Sequence, residues 1–230
     1  MLPFLLLAVA AVPAPARMSV KTAPVLPEVN KQLEDGRADV ENNTLTLAMA
    51  HAQLVLLGSE IKYSVLFQGV SKSQQAGCLR ALKYATGQWK SLLDGALTFT
   101  QIPDGQPSNI VVRFRPTVVM KGEQVAGYVN WKRSVDSESD GSVHAQFNAD
   151  LQIRVKELDG GAMPENAMRH AVMHEMGHVL GLDDSPNVGD VMGPLDIAHP
   201  VAAPTALEVQ TVKSLRAEAA EIIQKATPIQ

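Results

Sequence analysis

The sequence predicts an α+β fold, a mixed five-stranded twisted sheet with helices packed against it, and three observations lead there. Segments with the two-residue period of strands and the 3.6-residue period of helices follow one another in the order strand, helix, four strands, helix. No internal repeat or low-complexity tract interrupts that order. Hydrophobic residues make up 46% of the 230 positions and charged ones 19%, so the chain can bury a sizeable core and is one domain with a short N-terminal appendage.

Residues Leu2 to Val12 form an apolar run that ends at Pro13-Ala14-Pro15-Ala16, before the first charge at Arg17. The run is too short for the roughly 20 residues of a membrane span, and its small residues suit a cleavage site, so residues 1–16 read as a signal peptide of a secreted or periplasmic protein. Residues 17–58 read as a linker or pro-segment, with prolines around Ala23 to Pro27 and a charged stretch from Glu28 to Glu41. Within them Thr44 to Leu57 is strongly apolar and ends at Gly58, which fits a helix with a glycine C-cap or a strand. The catalytic unit is expected over residues 59–230.

Ile61, Tyr63, Val65 and Phe67 alternate with polar or small residues, the period of a half-buried strand. Ser71 or Ser73 then caps a helix whose apolar stripe is Cys78, Leu79, Leu82, Ala85, Trp89, Leu92 and Leu93. Strands follow at Ala96 to Ile102 and Asn109 to Arg115, split by the turn-forming Pro103-Asp104-Gly105-Gln106-Pro107, and then at Val125 to Trp131 and Ala149 to Val155. A second long helix starts near Pro164, whose missing N–H costs nothing in a first turn, and stops at Gly181.

The formal charge of −4 and the absence of any basic run longer than Lys132-Arg133 argue against nucleic-acid binding. A single cysteine, Cys78, rules out an intramolecular disulfide or a cysteine-only zinc site and reads as a small buried apolar residue. His51, His144 and His199 are isolated and read as surface or loop residues. His170 lies a turn before His174, beyond reach of a metal held by His174 and His178, and reads as a packed or exposed histidine.

The chemistry sits in His174-Glu175-Met176-Gly177-His178. Two histidines four apart project from one helical face and reach one metal ion, while Glu175 lies on the flank, placed to meet a water on that metal. Gly181 lets the chain leave the helix through a left-handed turn. Asp184 then arrives as third ligand, with neighbouring Asp183 as its rival. Two histidines and a carboxylate leave the fourth position open, the arrangement of a catalytic zinc site. Met192, within Asp190-Val191-Met192-Gly193-Pro194, can form an apolar floor under the metal or simply fill core space.

The stretch from His174 to Asp184 resembles the extended zinc signature of the metzincin metalloproteases, with Met192 as their Met-turn, and looks most like a matrixin-type catalytic domain. The resemblance implies a zincin-like sheet with one antiparallel edge strand, a long active-site helix and a C-terminal helix, with Zn²⁺ as cofactor. Matrixins use a histidine as third ligand. Asp184 is the choice seen in snapalysins, and its charge predicts a less acidic zinc-bound water. Gly193 stands where matrixins have Tyr, and Cys78 lies within the predicted first helix rather than in a cysteine-switch motif.

The acidic run Asp136-Ser137-Glu138-Ser139-Asp140-Gly141 begins like a calcium loop but has Phe147 where a bidentate Glu is needed, leaving a solvated loop or a weak Ca²⁺ site. Matrixins place a structural zinc near the region of His144. The reading reached is a secreted zinc endopeptidase acting on protein or peptide substrates, with Glu175 as general base and His174, His178 and Asp184 as metal ligands. The alternatives are a non-catalytic zinc-binding module that holds a protein partner in the same cleft, and a zinc hydrolase of small amides.

Overall fold

Alternate apolar residues on neighbouring strands make the inner face of the sheet: Ile61, then Ile110, Val112 and Phe114, then Leu151 and Ile153, all essentially without solvent contact. The computed structural model describes residues 22–228, so the expected signal peptide of residues 1–16 lies outside the described residues. The strands are β1 (Glu60–Phe67), β2 (Thr98–Gln101), β3 (Ile110–Arg115), β4 (Val119–Met120), β5 (Glu123–Gln124), β6 (Gly127–Ser137) and β7 (Val143–Arg154). Five of them form one sheet in the order β2-β1-β3-β7-β6, while β4 and β5 make a separate two-residue hairpin. Pairing is parallel from β2 through β7, and β6 alone runs antiparallel at the edge. The mixed five-stranded sheet with an antiparallel edge is therefore as expected.

The β6–β7 hairpin is longer than its apolar positions announce, because polar residues from Lys132 to Ser137 keep pairing as far as Val143. Its turn is the acidic run read as a calcium loop. There Asp140 Oδ1 accepts the Ser142 N–H at 2.8 Å, and Asp136 sits in the strand opposite His144. Among the described residues these carboxylates form no ligand cluster, and a calcium site finds no support.

The helices are α1 (Pro27–Glu41), α2 (Leu45–Leu56), α3 (Lys72–Leu92), α4 (Glu165–Val179) and α5 (Ala206–Ala226). None of the described helices is long and apolar enough to cross a membrane. Ser71 caps α3, with the Gln74 side chain reaching back to its hydroxyl at 2.9 Å. The stripe Cys78, Leu82, Ala85 and Trp89 faces the sheet and α4, and the Trp89 indole donates to the Met173 carbonyl at 3.1 Å. Leu79, expected in that stripe, is 38% exposed. It follows Cys78 directly, so it sits about 100° round the helix from it.

Within the segment read as a linker or pro-segment, the described residues 22–58 are folded rather than an extended linker. Residues 27–56 form α1 and α2, and the apolar run from Thr44 is helical, closed by Leu57 itself in the left-handed conformation rather than by Gly58 alone. Leu26, Val29 and Leu33 of the N-terminal segment pack with Ala48, Ala52 and Val55 of α2 and Leu215, Ala219 and Ile222 of α5 in a second apolar cluster. α2 also lies against β6 and β7, which joins this cluster to the sheet. The charged residues that suggested a linker are the solvent side of an amphipathic helix. Leu33→Ala is expected to lower stability by about 2–5 kcal/mol in chemical denaturation, as for other buried leucines; a change near zero would mean that the hairpin is not coupled to the domain.

Candidate metal centre

α4 places His174 and His178 one turn apart, with ring centroids 4.8 Å from each other and planes at 88°. Backbone carbonyls fix both rings: the oxygen of Val191 lies 3.0 Å from His174 Nδ1 and that of Leu182 lies 2.9 Å from His178 Nδ1. A carbonyl can only accept, so each Nδ1 carries the proton and each Nε2 keeps a lone pair. Both lone pairs face Asp184, whose Oδ1 lies 3.2 Å from His174 Nε2 and 3.5 Å from His178 Nε2. Ligands about 2.0–2.2 Å from a tetrahedral zinc stand about 3.4 Å apart, so this spacing and this donor set fit that ion. Among the described residues it is the one cluster of its kind.

Asp183, the rival, faces elsewhere: its Oδ1 accepts the Asp184 N–H at 2.9 Å. Without an ion, the contacts with His174 and then His178 hold the Asp184 carboxyl well below the usual carboxylate range. Burial opposes a charged His174, but the Asp184 contact and the charge of Glu175 outweigh it and raise that ring's pKa.

Glu175 is only 4% exposed, and burial pushes its pKa up, with His174 and His178 opposing the shift. Its carboxylate lies flat against β6 at Gly127, where an added Cβ would stand 2.4 Å from Glu175 Oε1. Only a residue without a side chain admits the carboxylate there. Gly177 plays the matching part beneath the histidines, since a Cβ on it would meet the Met192 sulfur at 2.2 Å. The loop carrying Met192 is held by Glu208 of α5, whose Oε1 accepts the Met192 N–H at 2.8 Å while its Oε2 accepts the Thr205 N–H and hydroxyl. His174, Glu175, His178, Asp184 and Met192 line one open cleft with Gly127, Tyr128 and Val129 of edge strand β6.

The sequence model of the matrixin peptidases matches residues 57–215. This chain belongs to the matrixin family. Matrixins are zinc metallopeptidases, in keeping with the donor set above. Among solved structures the chain is similar to the archaemetzincin of Methanopyrus kandleri, at 11% identity and a TM-score of 0.44, over 69% of this chain and 96% of that one. No curated protein matches the sequence.

In this matrixin the residues before α1 strap the ligand turn. Leu26 N–H donates to the Gly181 carbonyl at 3.0 Å, Asp183 N–H donates to the Pro24 carbonyl at 2.9 Å, and Val25 bridges Leu182. Gly181 turns at φ 103°, with Val29 of α1 and Leu215 of α5 packed where a side chain would go. Glu28 of α1 binds both the Trp131 indole and Arg133 Nη1, the latter at 2.5 Å. Trp131 stacks on His178, and Arg133 Nη2 caps the Val179 carbonyl at the end of α4 at 2.6 Å. Arg133 is nearly buried, and the desolvation that lowers its pKa is only partly offset by Glu28.

His170 packs as expected: it is 1% exposed, its ring stacks on His174, and burial with the nearby His174 lowers its pKa to about 4. His144 is exposed on the hairpin, as is His199 in its loop. The motif reading did not reach Glu28, Gly127, Arg133 or Glu208. For Glu208 the pattern Thr205-x-x-Glu208 was available as a capping box, while the others have no local signal.

Two outcomes follow from this geometry. Asp184→Ala should reduce zinc retained after dialysis against a weak chelator whereas Asp183→Ala should not, and the opposite pattern would make Asp183 the ligand. Gly177→Ala should cost about 1–3 kcal/mol, as overpacking does elsewhere, and lower the thermal midpoint together with zinc content.

Proposed function

We propose that this matrixin is a secreted zinc endopeptidase with Glu175 as its general base. The observation that carries the reading is the convergence of two imidazole lone pairs and a carboxylate oxygen beside a buried carboxylate, in a cleft open along the free edge of a strand. His174, His178 and Asp184 would hold the ion, and their carbonyl partners keep the imidazoles in the ligating tautomer. Zinc, when bound there, supplies a Lewis acid that polarises a carbonyl and makes water acidic.

This chain's own groups do the rest. Glu175 Oε1, backed by Gly127, is shielded from bulk water, so its carboxylate is basic enough to take a proton from water and pass it to the leaving amine. Among the described residues the outer edge of β6 from Gly127 to Trp131 has backbone groups free of strand partners, which suits an extended peptide adding itself as a further strand. Asp184 adds a negative charge that a third imidazole would not, so water at the centre is less acidified than in a three-histidine site.

Secretion rests on the apolar run and small residues of segment 1–16. We read residues 22–56 as staying with the mature domain, because they hold the Gly181–Asp183 turn; cleavage after Ala16 leaves that strap whole. Glu175→Ala is expected to keep zinc while peptide cleavage falls by about 10²–10⁴-fold, the usual contribution of a general base. Cleavage of a mixed peptide library, read by mass spectrometry with and without chelator, checks this, and turnover surviving in the variant would overturn the assignment.

A further inference from the structure

One side chain in the cleft carries buried hydrogen-bond donors that find no acceptor among the described residues. Arg154, 4% exposed, leaves Nε and Nη1 buried and unpartnered among the described residues, whereas His170, 1% exposed, has the Gly193 backbone near its ring and no well-formed hydrogen bond at Nε2. Both residues line the cleft that holds His174, Glu175 and His178. A guanidinium only donates. His170 Nδ1 accepts the Val201 N–H at 3.1 Å, so the ring proton of its neutral form is on Nε2, which is then a donor as well.

Their places in the fold put these donors beside the reacting centre. Arg154 ends β7, and its backbone N–H donates to the Ala126 carbonyl at 2.9 Å, one residue before the Gly127 that backs Glu175. His170 lies one turn before His174, with ring centroids 6.3 Å apart. The side chains of Leu158, Leu195 and Ile197, which line the same cleft, are apolar and offer no acceptor. Glu157 acts on Arg154 through its charge, but no side-chain hydrogen bond reaches the guanidinium among the described residues.

A buried guanidinium without a partner is strongly unfavourable, and native structures seldom keep one unless something completes it. The missing partner must be an acceptor, and a carboxylate matches both the charge and the fork of a guanidinium better than a neutral acceptor does. We propose that Arg154 forms a carboxylate-binding subsite of the cleft, which selects substrates presenting an acidic group next to the scissile bond. The inference deepens the peptidase reading and rests on it for the word substrate, though not for the binding of the carboxylate. The carboxylate can come from an Asp or Glu side chain or from a peptide's own C-terminus, and the geometry is the same for both.

The test uses peptides of one sequence with Glu or Gln in turn at each position flanking the cleaved bond, each made as the free acid and the amide. The zinc-loaded full chain is expected to prefer Glu to Gln at one position, or free acid to amide, by about 100-fold in kcat/KM, as sites built around a buried charged partner do. Arg154→Met should bring that ratio to near unity, and Arg154→Lys should keep part of it. Binding of the same pairs to zinc-loaded Glu175→Gln, followed by fluorescence, separates the subsite from catalysis. Tighter binding of the acidic peptide without any cleavage by wild type keeps the subsite and removes the peptidase reading. Cleavage with no preference for either carboxylate source overturns the subsite and leaves the peptidase. The thermal midpoint of Arg154→Met should rise, because an unpaired buried charge has gone. A fall, with the selectivity ratio unchanged, would make Arg154 a structural residue and overturn the inference.

Discussion

Two backbone carbonyls decide the chemistry of this matrixin. By accepting from Nδ1 of His174 and His178, the oxygens of Val191 and Leu182 turn both Nε2 lone pairs toward Asp184. Three such groups gathered that closely call for a positive charge between them, which a bound cation would supply. Both carbonyls belong to loops that follow α4, and the rest of the molecule serves to keep those loops in place.

The holding is done from three directions. Glu208 takes the Met192 N–H from the α5 side, the strap before α1 pairs with Gly181 and Asp183, and Arg133 ties β6 to the last turn of α4. Each contact joins residues far apart in sequence, so loosening one element moves a ligand rather than a surface loop. The N-terminal hairpin therefore belongs to the metal centre in a physical sense, although it lies outside the stretch matched by the family's sequence model. Glycine is required where side chains of the site press on backbone: Gly127 admits Glu175 and Gly177 admits Met192. A buried carboxylate and a buried guanidinium in one cleft are both costly, and such costs concentrate where proteins bind and react.

Much of the sheet and both long helices were legible because their signal is local. Ile110, Val112 and Phe114 alternate in burial as their spacing says, and Cys78, Leu82 and Trp89 recur at the helical period. Helix α1 before β1 is hard to read for an equally local reason: most of its charges face solvent, and the apolar residues Val29 and Leu33 are too few to suggest a helix until α2 and α5 supply their partner surface. The hairpin beyond Trp131 was underestimated because exposed strand residues need not be apolar.

By itself the sequence determined the spacing of His174, Glu175, His178 and Asp184, the glycine that turns the chain between them, and the alternation that builds the sheet, since each depends on residues within a few positions of one another. Only the tertiary structure decided which aspartate faces the imidazoles, which tautomer they hold, that Glu28 and Glu208 brace the centre, and that Arg154 enters the cleft without a partner. Most of those are relations that no spacing rule fixes, several of them between segments far apart in sequence, and the free energy that selects them comes from burial and hydrogen-bond satisfaction, which no local pattern records.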